Sequence, residues 1–193
     1  MGLTFIKSLT ASSDCELSFI DGTDGVVFDS TYNEYQFRFV NLHPSGSSVL
    51  FQFQVNATNG ADFNDSPITS TYFEAYNAES GAAESLDYTA SRDAAQSTSF
   101  VTLAGGVDHG GAGNDDGSAS GIFTLYDPSS TTFVKHWVAQ FDFMSDTPAD
   151  FVAHTAGYIN TGDPTDQPAI DEIRFQFNSG DIDAGTIYMY GVG

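Results

Sequence analysis

Hydrophobic and polar residues alternate with a period of two along most of the chain. Tyr35, Phe37 and Phe39 are interleaved with Glu34, Gln36 and Arg38, and Val49, Phe51, Phe53 and Val55 with Gln52 and Gln54. Near the end Ile173, Phe175 and Phe177 alternate with Glu172, Arg174 and Gln176, and Ile187 and Met189 follow after a turn. Successive side chains of a strand point to opposite faces, so this pattern predicts antiparallel strands with one face on a core and the other toward water. The stretch from Phe133 to Phe143 predicts a long strand with two partly apolar faces. Phe133, Trp137, Phe141 and Phe143 share one parity with Lys135 and Ala139, while Val134 and Val138 share the other with His136, Gln140 and Asp142. A central strand, or one covered on its second side by another subunit, has this character. Further strands are predicted over 3–9, 14–20, 97–104, 121–126 and 150–159, separated by clusters such as Asp21-Gly22-Thr23-Asp24-Gly25 and His43-Pro44-Ser45-Gly46.

Helix has almost no foothold. Only Ala78 to Gln96 is rich in helix formers, and there Gly81 interrupts and Leu86 is nearly the sole large apolar residue, so a short surface turn of helix is expected at most. About ten short strands in one chain predict an all-β fold, an antiparallel β-sandwich of jelly-roll type. No fixed repeat is visible, which argues against propellers and solenoids. A single domain over 1–193 is expected, with long loops around 56–120 carrying one or two strands.

Composition narrows the function classes. The 193 residues include 17 Phe and 9 Tyr, and a chain so rich in aromatics must hide them from water, which excludes intrinsic disorder. Against 26 acidic residues stand five basic ones, Lys7, Arg38, Arg92, Lys135 and Arg174, for a formal net charge of −21. Such a field repels a phosphate backbone or an anionic lipid surface, so neither nucleic acid nor membrane is an expected partner. No apolar run approaches the roughly 18 residues of a membrane span, and Met1 to Lys7 lacks the apolar stretch of an export signal. A lone cysteine, Cys15, excludes an internal disulfide; its place in the alternating Cys15-Glu16-Leu17-Ser18-Phe19 predicts a small buried side chain.

Catalytic signatures fail in turn. The run Gly105-Gly106-Val107-Asp108-His109-Gly110-Gly111-Ala112-Gly113-Asn114-Asp115-Asp116-Gly117 lacks the lysine and Ser/Thr of a phosphate loop. Its Gly110 to Asp115 matches the start of a calcium-binding nonapeptide, but Gly117 stands where that motif needs a large apolar residue, and the motif works only in tandem copies. The run reads first as a loop, with Asp108, Asp115 and Asp116 as weak candidate ligands for a divalent ion; no cofactor and no dedicated metal site is expected. Gly117-Ser118-Ala119-Ser120-Gly121 puts alanine where a nucleophile elbow needs serine, and His43, His109, His136 and His154 show no zinc-ligand spacing. With so many acids, a pair at glycosidase distance would arise by chance and carries no weight. Tyr32, Tyr72, Tyr76, Tyr88 and Tyr126 are the candidates for a sugar-stacking platform, against the simpler reading of scattered structural tyrosines.

Two longer segments carry a resemblance. Gly121-Ile122-Phe123-Thr124-Leu125-Tyr126-Asp127-Pro128-Ser129-Ser130-Thr131-Thr132-Phe133-Val134-Lys135-His136-Trp137 resembles a strand–turn–strand unit of virion structural and tail-fibre-like proteins of tailed bacteriophages, notably those of marine bacteria and cyanobacteria. The ending from Ala169 to Val192 is similar to the C-terminal strand pair of the same group, and Phe28-Asp29-Ser30-Thr31-Tyr32-Asn33-Glu34-Tyr35 also fits. Roughly residues 56–120 are not covered, and the shared motifs carry no catalytic residue. The resemblance implies a non-enzymatic structural protein on the exterior of a virion, a capsid decoration or the knob of a short appendage, with other virion proteins as partners. The alternatives are a receptor-recognition module binding a host polysaccharide and, more distantly, a glycan-degrading enzyme. The apolar surplus at Trp137 and on the exposed parity Tyr188, Tyr190 and Val192 predicts a homo-oligomer, a trimer by analogy with three-fold positions on phage particles, with Trp137, Tyr188 and Tyr190 at the contact.

Overall fold

The computed structural model of the protein describes residues 2–58, 60, 63, 66–110, 116–146, 149–161 and 167–193. Among them twelve strands follow in chain order: β1 (Leu3–Thr10), β2 (Leu17–Ile20), β3 (Glu34–Pro44), β4 (Val49–Ala57), β5 (Ile68–Ala78), β6 (Glu84–Tyr88), β7 (Val101–Val107), β8 (Ala119–Tyr126), β9 (Lys135–Met144), β10 (Ala149–Ile159), β11 (Ile170–Phe177) and β12 (Ile182–Val192). They form an eight-stranded sheet in the order β1-β12-β3-β8-β9-β10-β5-β6 and a four-stranded sheet in the order β2-β11-β4-β7. All pairings are antiparallel, and four of them nest: β1 with β12, β2 with β11, β3 with β8, β4 with β7. Coiling that nested ribbon brings β12 against β3 and β11 against β4, which is the topology of a jelly roll. Two hairpins, β5–β6 and β9–β10, are inserted into it and widen one sheet from four strands to eight.

The alternation read from the sequence decides which side chains enter the core. Phe37 and Phe39 of β3, Phe51 and Phe53 of β4, Phe123 of β8, Phe141 of β9 and Phe175 of β11 meet between the sheets, with ring centroids of 4.8 Å for Phe53–Phe123 and 4.9 Å for Phe39–Phe141 and Phe39–Phe175. Such pairs add about 0.5–1.5 kcal/mol each to the burial of the rings themselves. On β12 the bulge around Gly185 (φ 113°) sets the parity that turns Ile187 and Met189 inward and leaves Tyr188 and Tyr190 outside.

Several expectations are corrected. The strand predicted from Phe133 begins at Lys135, and Phe133 is exposed in the preceding turn. Trp137, expected at a subunit contact, is 1% exposed in the core, stacked on Phe123 and edge-on to Phe53 at 4.8 Å. Cys15, expected buried, is exposed, because β2 starts only at Leu17. The span 56–120 holds β5, β6, β7 and the start of β8, more than the one or two strands foreseen. β5 escaped notice because two of its inward positions are polar. Ser70 hydrogen-bonds Ala94 through both its backbone N–H and its hydroxyl, and Glu74 meets Arg92 at 2.5 Å, so neither interrupts the packing they interrupt in the pattern. The short helical turn foreseen within 78–96 is a three-residue 3₁₀ turn, Ala90–Arg92.

Candidate functional site

The widened sheet has an outer face that is open over its middle among the described residues, while at one end Gln96 reaches Thr69 Oγ1 at 2.8 Å and the Tyr158 hydroxyl at 3.3 Å. Its residues line up across the strands because directly opposed residues share a face. One row runs over all eight strands: Tyr88, Phe73, His154, Gln140, Ile122, Arg38, Tyr188 and Ser8. The next runs over seven: Thr71, Ala156, Val138, Thr124, Gln36, Tyr190 and Phe5. Among the described residues eleven large hydrophobics are exposed, and all but Ile20 and Phe133 lie on this face. The two central rows hold no carboxylate, and Arg38 is their one formally charged side chain. Acids appear only toward the ends of the strands, at Glu34 on one side and at Asp142, Asp150 and Glu84 on the other. In a chain carrying 26 acidic residues that placement leaves a neutral, half-apolar band.

Tyr188 and Tyr190, two of the three residues expected at a contact, stand in this band, half-buried; Phe5 packs edge-on to Tyr190 at 5.8 Å and the Arg38 guanidinium lies 5.5 Å from its ring. Trp137 sits on the opposite side of the same sheet. Val138 and Gln140 belong to the second face of β9 that the sequence offered for cover, whereas Phe73, Ile122 and His154 were missed from the sequence as members of a surface. The outward parity of β9 was visible there, but its neighbours across the sheet were not.

Near the middle of the face is a shallow cleft of about 430 Å³, lined by Ser120, Ile122, Thr124, Val138, Gln140 and His154, with the carboxylate of Asp142 at its acidic end. Phe73 stacks on His154 at 5.2 Å and forms one wall of the aromatic row. Toward the acidic rim a second hollow of about 510 Å³ is bounded by Glu79, Asp116, Asp142 and Asp150. The Asp142 carboxyl is raised above the ordinary carboxylate range by burial, then by the charge of Asp150 and a hydrogen bond with it.

The other sequence candidates do not converge. Asp108 is buried, with its Oδ1 lacking a hydrogen-bond partner among the described residues, whereas Asp116 is exposed; Asp115 lies outside the described residues. Among the described residues no group of three or more His, Cys, Asp and Glu side chains is arranged to hold a metal ion. His43 is engaged with Gly117 O at 2.7 Å, and His136 packs edge-on to Tyr158. Of the five candidate tyrosines, Tyr72 is fully buried, where its hydroxyl donates to Glu74 Oε2 at 2.8 Å and burial pushes its pKa up. Tyr32 packs on Tyr35 and Tyr76 on Phe151, which leaves only Tyr88 and Tyr126 exposed, on β6 and β8, with β9, β10 and β5 between those two strands. The five do not form one platform. Lys135, at the inner end of β9, is wholly buried and donates to Thr161 Oγ1, Gln167 O and Pro168 O at 2.7–2.9 Å, a structural rather than a surface cation. No protein-family model, no curated protein and no solved structure matches the chain.

Proposed function

We propose that this protein is a non-catalytic structural module on the exterior of a tailed-bacteriophage particle, a capsid decoration or the knob of a short appendage, held there through protein contacts. The observation that carries the assembly part of this reading is the open outer face of the widened sheet, whose two central rows of apolar and neutral polar side chains hold no carboxylate. Contiguous apolar patches on an otherwise polar surface mark interaction sites. The location rests on the resemblance of residues 121–137 and 169–192, which cover β8 with the start of β9, and β11 with β12. The test is a labelled low-resolution image of purified particles combined with their protein composition. Many copies over the head support decoration, few at the tail an appendage, and absence from particles overturns the proposal.

The central cleft favours a second reading, recognition of a neutral host polysaccharide. Its size falls within the roughly 300–1,000 Å³ of small-ligand sites, and it mixes apolar walls with amide, hydroxyl and imidazole groups and the single carboxylate of Asp142. Glycan-array binding that is lost in Gln140→Ala and His154→Ala supports that reading; an array without signal removes it.

A further inference from the structure

We infer that the occupant of the bare face is a second copy of this chain, the two widened sheets packing outer face to outer face about a two-fold axis. This inference deepens the assembly reading above and rests on it. Three observations select the second copy.

The first is charge. Two chains of formal charge −21 repel wherever acidic surfaces meet, and the central band of this sheet is where two copies can touch without opposing carboxylates. The second is area: eight strands spaced about 4.8 Å apart span roughly 38 Å, and two rows about 7 Å apart make a band about 14 Å deep, so about 500 Å² of sheet per copy would be covered, the low end of what specific interfaces take from each partner and in keeping with an association that salt can tune. The third is the contrast with the other sheet, whose outer face the chain covers with its own residues. Gln54 reaches over to Thr98 O and Ser99 O at 3.0 and 3.2 Å, and Phe63 lies 4.1 Å above the Arg174 guanidinium. The protein thus supplies part of its own cover on one side and leaves the side richer in large apolar residues open. A self-complementary face closes as a dimer, because each copy presents the same patch to the other. Packed sheets keep their strands within about 30° of each other, so the band of one copy lies along the band of its partner. The acids Asp142, Asp150 and Glu84 then lie along the edge of the contact, and their mutual repulsion is long-ranged only when ions are scarce.

The experiment is sedimentation equilibrium of the full chain from about 1 to 100 μM, at about 0.01 M and 0.5 M NaCl. The expected result is twice the 20.6 kDa chain mass at high salt, with association weakening at least tenfold at low salt. Val138→Glu, at the centre of the band, is expected to weaken dimerisation at least 100-fold with unchanged circular dichroism, and Val138→Ser, which adds no charge, by a smaller factor. Gln176→Glu, on the outer face of the other sheet, leaves it unchanged. A monomer at 100 μM in 0.5 M NaCl, a trimer mass, or a dimer indifferent to both Val138 variants overturns the inference. None of these results bears on whether the protein is found on particles, so the two proposals fail separately.

Discussion

The two sheets share one core and differ in what they show the solvent. On the four-stranded sheet the outward side chains are mostly polar, Ser18, Gln52, Gln54, Asn56, Glu172, Arg174 and Gln176 beside the apolar Ile20 and Leu50, and Arg174 pairs with Glu16 at 2.9 Å and Glu172 at 3.6 Å. On the eight-stranded sheet the corresponding positions are Phe73, Ile122, Val138, His154, Tyr188 and Tyr190 with scattered Thr and Gln. Both faces are built by the same period-two alternation. The difference therefore is not demanded by the jelly roll, whose stability comes from the inner faces. A polar outward face with internal ion pairs is finished; an apolar one without its own cover is a surface addressed to something else.

The largest expected effect tests what the two faces have in common. Phe141 of the wide sheet contacts Phe39 of its own sheet and Phe51 of the other, at 4.9 and 5.6 Å. Phe141→Ala should cost about 3–5 kcal/mol, and hydrogen exchange should show β4 and β9 losing protection together. Loss confined to β9 would mean that the sheets are separate units and the comparison of their outer faces has no common reference.

Next comes the bulge that decides the parity of β12. Gly185 has φ 113°, and a Cβ there would stand 2.5 Å from Asn41 O, against backbone rather than a yielding side chain. Gly185→Ala should cost on the order of 1–3 kcal/mol in denaturant unfolding and change the environment of Tyr188 and Tyr190 in near-ultraviolet circular dichroism. A neutral outcome would show that the outward placement of these tyrosines does not depend on the bulge.

The covered face is tested by Gln54→Leu. It removes the bonds that tie Thr98 and Ser99 to β4 and frees the Val55 N–H that donates to Oε1 at 2.8 Å. About 1–3 kcal/mol should be lost, with faster proteolysis near 97–100 and no change in association. A change in association would move the contact to the wrong face.

The smallest effect concerns the rim of the open face. The folded-state pKa of Asp142 is raised above its ordinary 3.8, so between that value and the raised one the folded protein binds more protons than the unfolded chain. Stability relative to Asp142→Asn is thus complete at pH below about 3.8 and declines as pH rises through the folded value, leaving the variant more stable at neutral pH. The carboxyl is largely solvated, so the gain should stay under about 1 kcal/mol. Thermal unfolding of both proteins from pH 3 to 7 gives the difference; a gain that grows toward acid would reverse the assigned sign.

Strand identity was legible in the sequence wherever inward positions are all apolar. β3, β4, β11 and β12 read directly, because alternation is a property of neighbouring residues and survives without knowledge of the fold. β5 did not, since its inward Ser70 and Glu74 are matched by Ala94 and Arg92, some 20 residues downstream. The site was half legible. Tyr188 and Tyr190 fall on the open face as their parity indicated, while Trp137 has the parity of Phe141 and belongs with it inside.

What the sequence determined by itself is therefore the all-β class, the division of each well-patterned strand into two faces, and the acidic charge that limits its partners. Only the tertiary structure decided which face of which strand is covered. The two inserted hairpins join the β8 side of one sheet and not the other, so four more strands, from β9 and β10 to β5 and β6, add their outward residues to a single surface. Cross-strand rows such as Phe73, His154, Gln140, Ile122 and Arg38 are made of residues up to more than a hundred positions apart, brought side by side by ladder hydrogen bonds. A local pattern says that a side chain points outward. Which other side chains stand beside it is a matter of pairing and register, and that depends on the whole chain being folded.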